Sequence, residues 1–316
     1  MRGLEVSRQF FFSAGVPFVA SEFPQLMGCM AAGLVGEGSE CFGIDDHHSR
    51  DHDWGAGFCL WLPRDEFQCY GAAVAEGLSL LAPPEGLPSR FARLRTPNDG
   101  RVGVFAVDDF YRRFIGFGHA PRTVREWWAI PDANLATAVN GAVFCDRAGE
   151  FTRWRQALQV GYPRDVRLKK MAYCCYVALQ AGPYNHRRMA ARGLGAAAGI
   201  CEAVFMVAAL RLVYYLNGAY PPYYKWLHPL VKALPLLGEE AYGWGEELAA
   251  HGAAGAEGAV AGKQAVMEQW CAALEQAMAE QGYVDSARGG LYAIAQQLHG
   301  AIEEPWLRRI PLEVKC

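Results

Sequence analysis

The chain has 316 residues, enough for one large domain or two modest ones, and 52% of them are hydrophobic against 20% charged. This balance is typical of a folded protein and excludes a largely disordered one. The formal net charge of -3 argues against a general nucleic-acid-binding surface, which requires a basic stripe.

The first 150 residues combine helical and strand patterns. Residues 4–34 carry apolar side chains at helical spacing with a break near Gly15 and Pro17, which predicts two helices. Short apolar runs predict strands, and longer periodic segments predict further helices. The predicted strands are 58–62, 101–107 and 142–146, and the predicted helices are 65–82, 109–117 and 123–129.

Helical periodicity dominates after about residue 150, and strand patterns disappear. The predicted helices are 165–181, 186–217, 239–251, 262–281 and 285–303. We therefore predict the α+β class, with a mixed sheet and helices in a domain over 1–150 and an all-helical domain over 151–316. The boundary is expected within about ten residues of 150.

The longest apolar stretch, 193–216, contains Glu202 and Arg211. A membrane-spanning helix needs about 20 uninterrupted apolar residues, so we interpret this stretch as a buried helix. The N-terminus lacks the pattern of a signal peptide. The ten cysteines are scattered without paired CxxC motifs, which favours free thiols over a zinc site. We expect a soluble cytoplasmic protein that does not bind membranes.

Aspartate and histidine are concentrated between Glu40 and Gly55. If Asp51 and Asp53 lie on a strand, their side chains project from the same face. Two adjacent carboxylates repel each other unless a cation lies between them, and Mg²⁺ prefers such oxygen ligands together with substrate phosphates. The preceding Gly38-Ser39 turn offers backbone N–H groups and a hydroxyl for binding a triphosphate.

A Gly-Ser turn followed by Asp-x-Asp resembles the signature of the nucleotidyltransferase superfamily, which includes DNA polymerase beta and the aminoglycoside nucleotidyltransferases. Here the signature is Gly38-Ser39 with Asp51-His52-Asp53. The wider stretch 31–55 more closely resembles a bacterial family catalogued as a domain of unknown function, number 4037. That likeness continues in 161–163, 180–185 and 216–226, and so extends over most of the chain.

The superfamily resemblance implies transfer of a nucleoside monophosphate from a nucleoside triphosphate, ATP first among the candidates, to an acceptor hydroxyl. Asp51 and Asp53 would hold two Mg²⁺ ions during catalysis. A third carboxylate from a neighbouring strand is expected, and the candidate is Asp108, with Asp109 beside it, ahead of Asp46 and Asp146. Analogy with the antibiotic-modifying members suggests a small hydroxylated acceptor.

Two residues of the helical region are further candidates. Lys225, in the aromatic segment 223–226, is interpreted either as a triphosphate ligand or as part of an aromatic packing cluster. Glu202 is interpreted either as a general base or as the ion-pair partner of Arg211 or of an arginine on another helix. The other basic residues considered, Lys169, Lys170, Arg187 and Arg188, are expected at the solvated surface.

Three alternatives remain open. The loop residues Asp45, Asp46, His47, His48 and His52 also suggest a transition-metal site like that of HD-type phosphohydrolases, although the sequence offers no matching distant His-Asp pair. The main alternative is a nucleotide-binding regulatory protein of the same fold that has no catalytic activity. Transfer to a protein or to an RNA end is a third possibility, which the near-neutral charge makes less favourable for RNA.

Overall fold

The structure is a computed structural model that describes residues 2–50, 54–83, 86–87, 89–90, 101–252, 258–285 and 289–314. A small mixed sheet with helices is followed by a helical region, which confirms the α+β class. The chain divides into two compact units, which consist of residues 1–121 with 134–160 and of residues 122–133 with 161–316. The sequence placed one boundary near 150, whereas the structure assigns 122–133 to the second unit.

The first unit contains short helices around the sheet. Its helices are α1 (Gly3–Phe10), α2 (Val16–Glu22), α3 (Arg64–Ser79), α4 (Val107–Ile115) and α7 (Glu150–Gln159), and its strands are β1 (Ala31–Leu34), β2 (Cys59–Leu62), β3 (Gly103–Ala106) and β4 (Ala142–Asp146). A π-helical segment, Phe11–Gly15, joins α1 to α2, at the break that the sequence predicts. Helix α6 (Asp132–Ala138) begins in the second unit and ends in the first.

The sheet has the strand order β3-β2-β1-β4 within the described residues. Strand β1 is antiparallel to both β2 and β4, whereas β2 and β3 are parallel. Consequently β1 ends where β2, β3 and β4 begin. We call this end of the sheet the Gly-Ser end, because the Gly38-Ser39 turn follows β1 there.

Strand β2 is buried along its whole length, as its continuous apolar sequence predicts. Leu60 belongs to a core cluster that includes Phe10 and Phe11 of the N-terminal helical segment. The ring of Trp61 stacks on Phe151 at 3.8 Å between ring centroids. The sheet is therefore held between apolar side chains, which fixes the positions of its strand ends.

The regular elements in the described part of the second unit are all helices. Its helices are α5 (Val124–Ala129), α8 (Arg164–Leu179), α9 (Arg187–Ala191), α10 (Gly195–Leu216), α11 (Tyr224–Val231), α12 (Gly238–Ala250), α13 (Ala259–Glu280), α14 (Gly290–Gly300) and α15 (Pro305–Arg308). Helix α8 packs against both α10 and α14, and a π-helical segment, Gln180–His186, links α8 to α9.

Helix α10 is the one described helix that is long and apolar enough to cross a membrane, which by itself is weak support for a membrane span. Arg211 and Glu202 on this helix form ion pairs with residues of the same unit, Asp132 and Lys263. Buried charges require such partners. The pairing therefore supports the interpretation of α10 as a helix of the folded unit.

Several predicted elements differ from the observed ones. Residues 31–34 form strand β1, so the prediction of helix up to residue 34 was wrong there. The predicted helix 186–217 is divided into α9 and α10, because Gly193 adopts a φ of 71° between them. Helices α6, α7, α11 and α15 were not predicted.

Candidate functional site

The turn after β1 requires glycine at two positions. Gly36 and Gly38 adopt φ values of 131° and 129°, which side-chain-bearing residues rarely adopt. The side-chain amide of Asn140 donates to the carbonyl of Gly36 at 2.8 Å and accepts from its N–H at 2.9 Å. A Cβ on Gly38 would lie 2.5 Å from a carboxylate oxygen of Glu40. The turn therefore has one fixed backbone course at the Gly-Ser end.

A buried ion pair supports this turn from the other side. Glu40 follows Ser39, and its Oε1 accepts a 2.9 Å hydrogen bond from Arg90. Both side chains are almost completely buried. The backbone N–H of Arg90 also donates to the carbonyl of Ala56, just before β2. The pair thus connects the Gly-Ser turn with the segment that leads into the neighbouring strand.

The central predicted residues, Asp51, His52 and Asp53, lie outside the described residues. The residues on either side of them contact each other, since the guanidinium of Arg50 lies 4.6 Å from the ring centroid of Trp54. The described segment 54–58 leads into β2, which begins at Cys59. In the sequence, the Asp-x-Asp motif falls between the Gly-Ser turn and β2.

Asp45 links the start of α1 to Trp54. Its Oδ2 accepts hydrogen bonds from the backbone N–H of Gly3 at 2.7 Å and from Nε1 of Trp54 at 3.4 Å. Its Oδ1 is buried and has no hydrogen-bond partner among the described residues. A buried carboxylate oxygen without a donor is available to a cation or to another donor.

The structure argues against Asp108 as the third metal ligand. Asp108 lies in the first turn of α4, after the end of β3, and thus beyond the sheet end opposite the Gly-Ser turn. Arg64 donates to Asp108 Oδ2 at 2.6 Å and to Asp109 Oδ2 at 2.7 Å. The pKa of Asp109 is lowered, and the hydrogen bond from the guanidinium of Arg64 is the largest cause. Asp108 therefore forms an ion pair with Arg64, and the metal role expected of it stays a prediction.

The two weaker carboxylate candidates have local structural partners. Asp46 accepts from the backbone N–H of Ser49 at 3.0 Å, and this bond is the main cause of its lowered pKa. Asp146 ends β4, at the sheet end opposite the Gly-Ser turn, and accepts from the backbone N–H groups of Gly149 and Thr152 at 2.9 Å and 2.7 Å. Both carboxylates therefore stabilise turns.

The transition-metal alternative receives no support from the loop geometry. His47 and His48 stack with ring centroids 3.8 Å apart. Within the part of the chain that the structure describes, no three His, Cys, Asp or Glu side chains are grouped so that they could hold a metal ion. His52, the remaining histidine of this reading, lies outside that part.

Glu202 and Lys225 have different surroundings in the second unit. Glu202 Oε2 accepts a 2.7 Å hydrogen bond from Lys263 Nζ on α13. Glu202 thus has an ion-pair partner on another helix. This partner is a lysine, whereas the sequence analysis suggested an arginine. Lys225 is exposed in the first turn of α11, with its ammonium 4.5 Å from the ring centroid of Trp226. This contact fits the aromatic alternative, and the proposed triphosphate role of Lys225 stays a prediction.

The expectation that Lys169 and Lys170 are solvated is wrong. Lys169 is fully buried on α8, and its Nζ donates to the carbonyls of Ile310 and Pro311 at 2.6 Å and 2.8 Å. Lys170 is 2% exposed. A buried ammonium is tolerated only with such partners, and those of Lys170 belong to a cluster that the sequence did not predict.

That cluster is centred on Asp132, at the start of α6. Its Oδ1 accepts from the hydroxyl of Tyr162 and pairs with Lys170 Nζ at 3.0 Å. Its Oδ2 accepts from the hydroxyl of Tyr215 at 2.8 Å and from Arg211 Nη2. These five residues, all of the second unit, are called the Asp132 cluster below.

The Asp132 cluster keeps its carboxylate charged in spite of burial. Desolvation raises the pKa of Asp132, but Lys170, Arg211 and the two tyrosine hydroxyls outweigh it, so that the net pKa lies below the ordinary value. Burial, followed by the nearby charge of Asp132, raises the pKa of Tyr162 and Tyr215 well above the ordinary range. Both tyrosines therefore remain neutral donors.

A cavity of about 420 Å³ opens beside the Asp132 cluster. Asp132, Lys170 and Arg211 contribute polar lining, and most of the remaining wall is apolar or aromatic. This combination of a few convergent charged groups with apolar walls is typical of small-molecule sites. The sequence indicated it only through Arg211, a charge inside an apolar helix, for which Glu202 was considered as a partner, whereas the structure pairs it with Asp132.

Residues 127–227 match the family described as Domain of unknown function (DUF4037). The expected resemblance to that family is therefore confirmed over this segment, which is less than half of the chain. No curated protein and no solved structure gives a significant match to the chain.

The DUF4037 segment contains the whole Asp132 cluster and every residue that lines the adjacent cavity, from Trp128 to Leu227. It also contains Glu202 and Lys225. The Gly-Ser turn and the Asp-x-Asp motif precede it in the chain. The two candidate sites therefore differ in this respect, since one lies inside the DUF4037 segment and the other lies before it.

Proposed function

We propose that the protein is a Mg²⁺-dependent nucleotidyltransferase. The observation that carries this proposal is the antiparallel pairing of β1 with β2, in which Gly33 lies opposite Cys59. This pairing puts the Gly38-Ser39 turn, which follows β1, at the sheet end where β2 begins. Asp51-His52-Asp53 precede β2 in the sequence, and we propose that they act beside this turn. Nucleotidyl transfer needs backbone groups that bind phosphate close to carboxylates that bind the metal.

The residues at the Gly-Ser end suit a triphosphate with its metal. The Gly38-Ser39 turn has a fixed backbone, and we propose that the hydroxyl of Ser39 binds phosphate. Asp51 and Asp53 would hold Mg²⁺, and we propose Asp45 in place of Asp108 as the third carboxylate. Its buried Oδ1 has no partner among the described residues, and its Oδ2 bonds to Trp54, directly after Asp53.

The proposed reaction transfers a nucleoside monophosphate. The acceptor hydroxyl loses its proton to solvent, and its oxygen forms a bond to the α-phosphorus of ATP. The bond between the α-phosphorus and the oxygen that bridges it to the β-phosphorus breaks, and pyrophosphate leaves with that oxygen. Mg²⁺ held by Asp51 and Asp53 would neutralise the negative charge on the phosphate oxygens. The turn orients the triphosphate, and the acceptor is proposed to be a small hydroxylated molecule.

Calorimetric titration with ATP, with and without Mg²⁺, tests the metal site without knowledge of the acceptor. We expect Mg²⁺ to strengthen ATP binding to the wild type. Asp51→Asn and Asp53→Asn should each reduce this binding by at least about tenfold, and Asp45→Asn should weaken it in the same direction. Asp65→Asn, an exposed carboxylate on α3, is the matched control and should leave binding unchanged.

Two results would contradict the proposal. One is the absence of ATP binding to folded wild-type protein, and the other is an unchanged Mg²⁺ effect in both Asp51→Asn and Asp53→Asn. An assay of pyrophosphate release, with fractions of small-molecule extracts as the source of acceptor, distinguishes an enzyme from a regulatory protein. Metal-dependent ATP binding without release in any fraction would favour the regulatory alternative.

We also propose a cytoplasmic location. The nine cysteines in the described part of the chain are all free thiols, the state favoured in a reducing compartment. Fractionation of cells that express the tagged chain tests this location, and recovery in the membrane pellet would contradict it.

A further inference from the structure

We propose that the cavity beside the Asp132 cluster binds a small organic monoanion, whose anionic group pairs with Arg211 and Lys170 and whose apolar or aromatic body fills the rest of the cavity. This site is separate from the proposed nucleotide site and does not depend on it. All of its residues belong to the second unit.

The charge balance of the Asp132 cluster favours an anion. Lys170 and Arg211 each form an ion pair with Asp132, which is their common carboxylate partner among the described residues. Two cations and one carboxylate leave one positive charge in excess. The Lys170 side chain is 3% exposed and that of Arg211 16% exposed, so water screens this charge poorly. One negative charge on a ligand would complete the balance.

The hydrogen-bond inventory leads to the same conclusion. Each carboxylate oxygen of Asp132 already has two partners, one hydroxyl and one cation. The guanidinium of Arg211 donates to Asp132 Oδ2 and to the Tyr215 hydroxyl through one nitrogen, Nη2. A guanidinium offers several donors in one plane, and Asp132 is already occupied by these contacts. A carboxylate or a singly charged phosphate on a ligand is a suitable acceptor for the remaining donors of Arg211.

The cavity wall determines the rest of the ligand. Trp128, Ile130, Pro221, Pro222, Val207 and Leu227 provide apolar and aromatic surface around the charged groups. Tyr223 and Tyr224, which also line the cavity, are 51% and 69% exposed. Burying such surface stabilises a complex, because apolar area is removed from water. An inorganic anion would leave this surface uncovered, whereas an aromatic or aliphatic acid would cover it.

Calorimetric titration of the full chain, without nucleotide or Mg²⁺, tests the site with a matched set of probes. The probes are naphthalene-2-carboxylate, the neutral 2-naphthylmethanol, the cationic 2-naphthylmethylammonium, 2-naphthyl phosphate and inorganic pyrophosphate. We expect the carboxylate to bind best and the neutral alcohol to bind about tenfold more weakly or worse. Tighter binding of pyrophosphate than of the carboxylate would overturn the proposal, as would equal binding of the alcohol.

Two substitutions on α10 test whether the carboxylate probe binds in this cavity. Val207 lines the cavity one helical turn before Arg211, so Val207→Trp should fill it and abolish binding of the carboxylate. Val204→Trp is the matched control, because Val204 and Val207 are both 41% exposed and Val204 is not part of the lining. Both substitutions are at exposed positions and leave the Asp132 cluster intact.

Arg211→Gln should weaken binding of the carboxylate by about tenfold or more and reduce the preference over the alcohol. Thermal unfolding of each variant verifies that it is folded. The proposal is wrong if the folded wild type binds none of the probes, or if Val207→Trp binds the carboxylate as tightly as Val204→Trp does. Loss of ATP binding in the earlier experiment would leave these results unaffected, so the two proposals fail separately.

Discussion

The hydroxyl of Tyr215 donates a 2.8 Å hydrogen bond to Oδ2 of Asp132 in the buried centre of the second unit. Tyr215 is 1% exposed and Asp132 is 7% exposed, so neither group can exchange this bond for one to bulk water. The bond helps to keep the carboxylate ionised, and the ionised carboxylate holds Lys170 and Arg211 in place. The charge of Asp132 therefore stabilises the second unit and shapes the cavity.

Asp132→Asn should destabilise the second unit by about 3–5 kcal/mol, because it leaves two largely buried cations without their carboxylate. The measurement is urea-induced unfolding at pH 7, monitored by the fluorescence of the tryptophans. Asp285→Asn, an exposed position of the same unit, is the control and should change the free energy of unfolding by less than about 0.5 kcal/mol. Equal stability of the two variants would show that the cluster contributes little.

The stabilising effect of Asp132 should disappear in acid. Its pKa is lowered in the folded protein, so the unfolded chain binds a proton first as the pH falls below about 4. The free energy of unfolding that Asp132 contributes is present above that pH and decreases by up to about 1.4 kcal/mol for each further pH unit. The stability difference between the wild type and Asp132→Asn should therefore be smaller at pH 3 than at pH 7. An equal difference at the two pH values would contradict the lowered pKa.

The sequence predicts elements best where one local signal dominates. Strand β4 was predicted with its observed bounds, and β2 and β3 lie within their predicted ranges, because short apolar runs stand between turn residues there. Strand β1 was missed because Ala31 and Ala32 follow an apolar helical segment and Ala has no strand preference. The residues of β1 pair with both β2 and β4, and such pairing is not visible in local sequence.

The candidate site residues also differ in how far the local sequence predicts them. Gly38-Ser39 could be singled out because neighbouring residues form the motif, and its position at the end of β1 agrees with a turn. Asp108 was favoured because it follows a strand, but the direction of β3 sends it to the opposite sheet end. The Asp132 cluster combines residues from 132, 162, 170, 211 and 215, and long-range packing alone brings them together.

Gly38→Ala should distort the turn that we propose to bind the triphosphate. Gly38 has a φ of 129°, and an added Cβ would lie 2.5 Å from the carboxylate of Glu40. We expect a loss of about 1–3 kcal/mol in the free energy of unfolding together with weaker binding of ATP. Gly28→Ala is the matched control, because a Cβ there would meet nothing within 4 Å. Undiminished ATP binding by folded Gly38→Ala would contradict a role for this turn in nucleotide binding.

Substitution of Glu202 separates a structural ion pair from a general base. The Lys263 and Glu202 side chains are 6% and 14% exposed, and Nζ lies 2.7 Å from Oε2. Either Glu202→Gln or Lys263→Met should therefore cost about 3 kcal/mol in the free energy of unfolding, since each leaves a largely buried charge without its partner. The double variant should cost less than the sum of the two single variants, by about 1–3 kcal/mol. Urea unfolding of the wild type, the two single variants and the double variant measures this coupling.

A general base would behave differently from a structural ion-pair partner. Folded Glu202→Gln would then retain ATP binding but lose pyrophosphate release and the acidic limb of the pH profile of that activity. We expect the coupling and an unchanged pH profile, because the short bond to Lys263 already occupies the carboxylate.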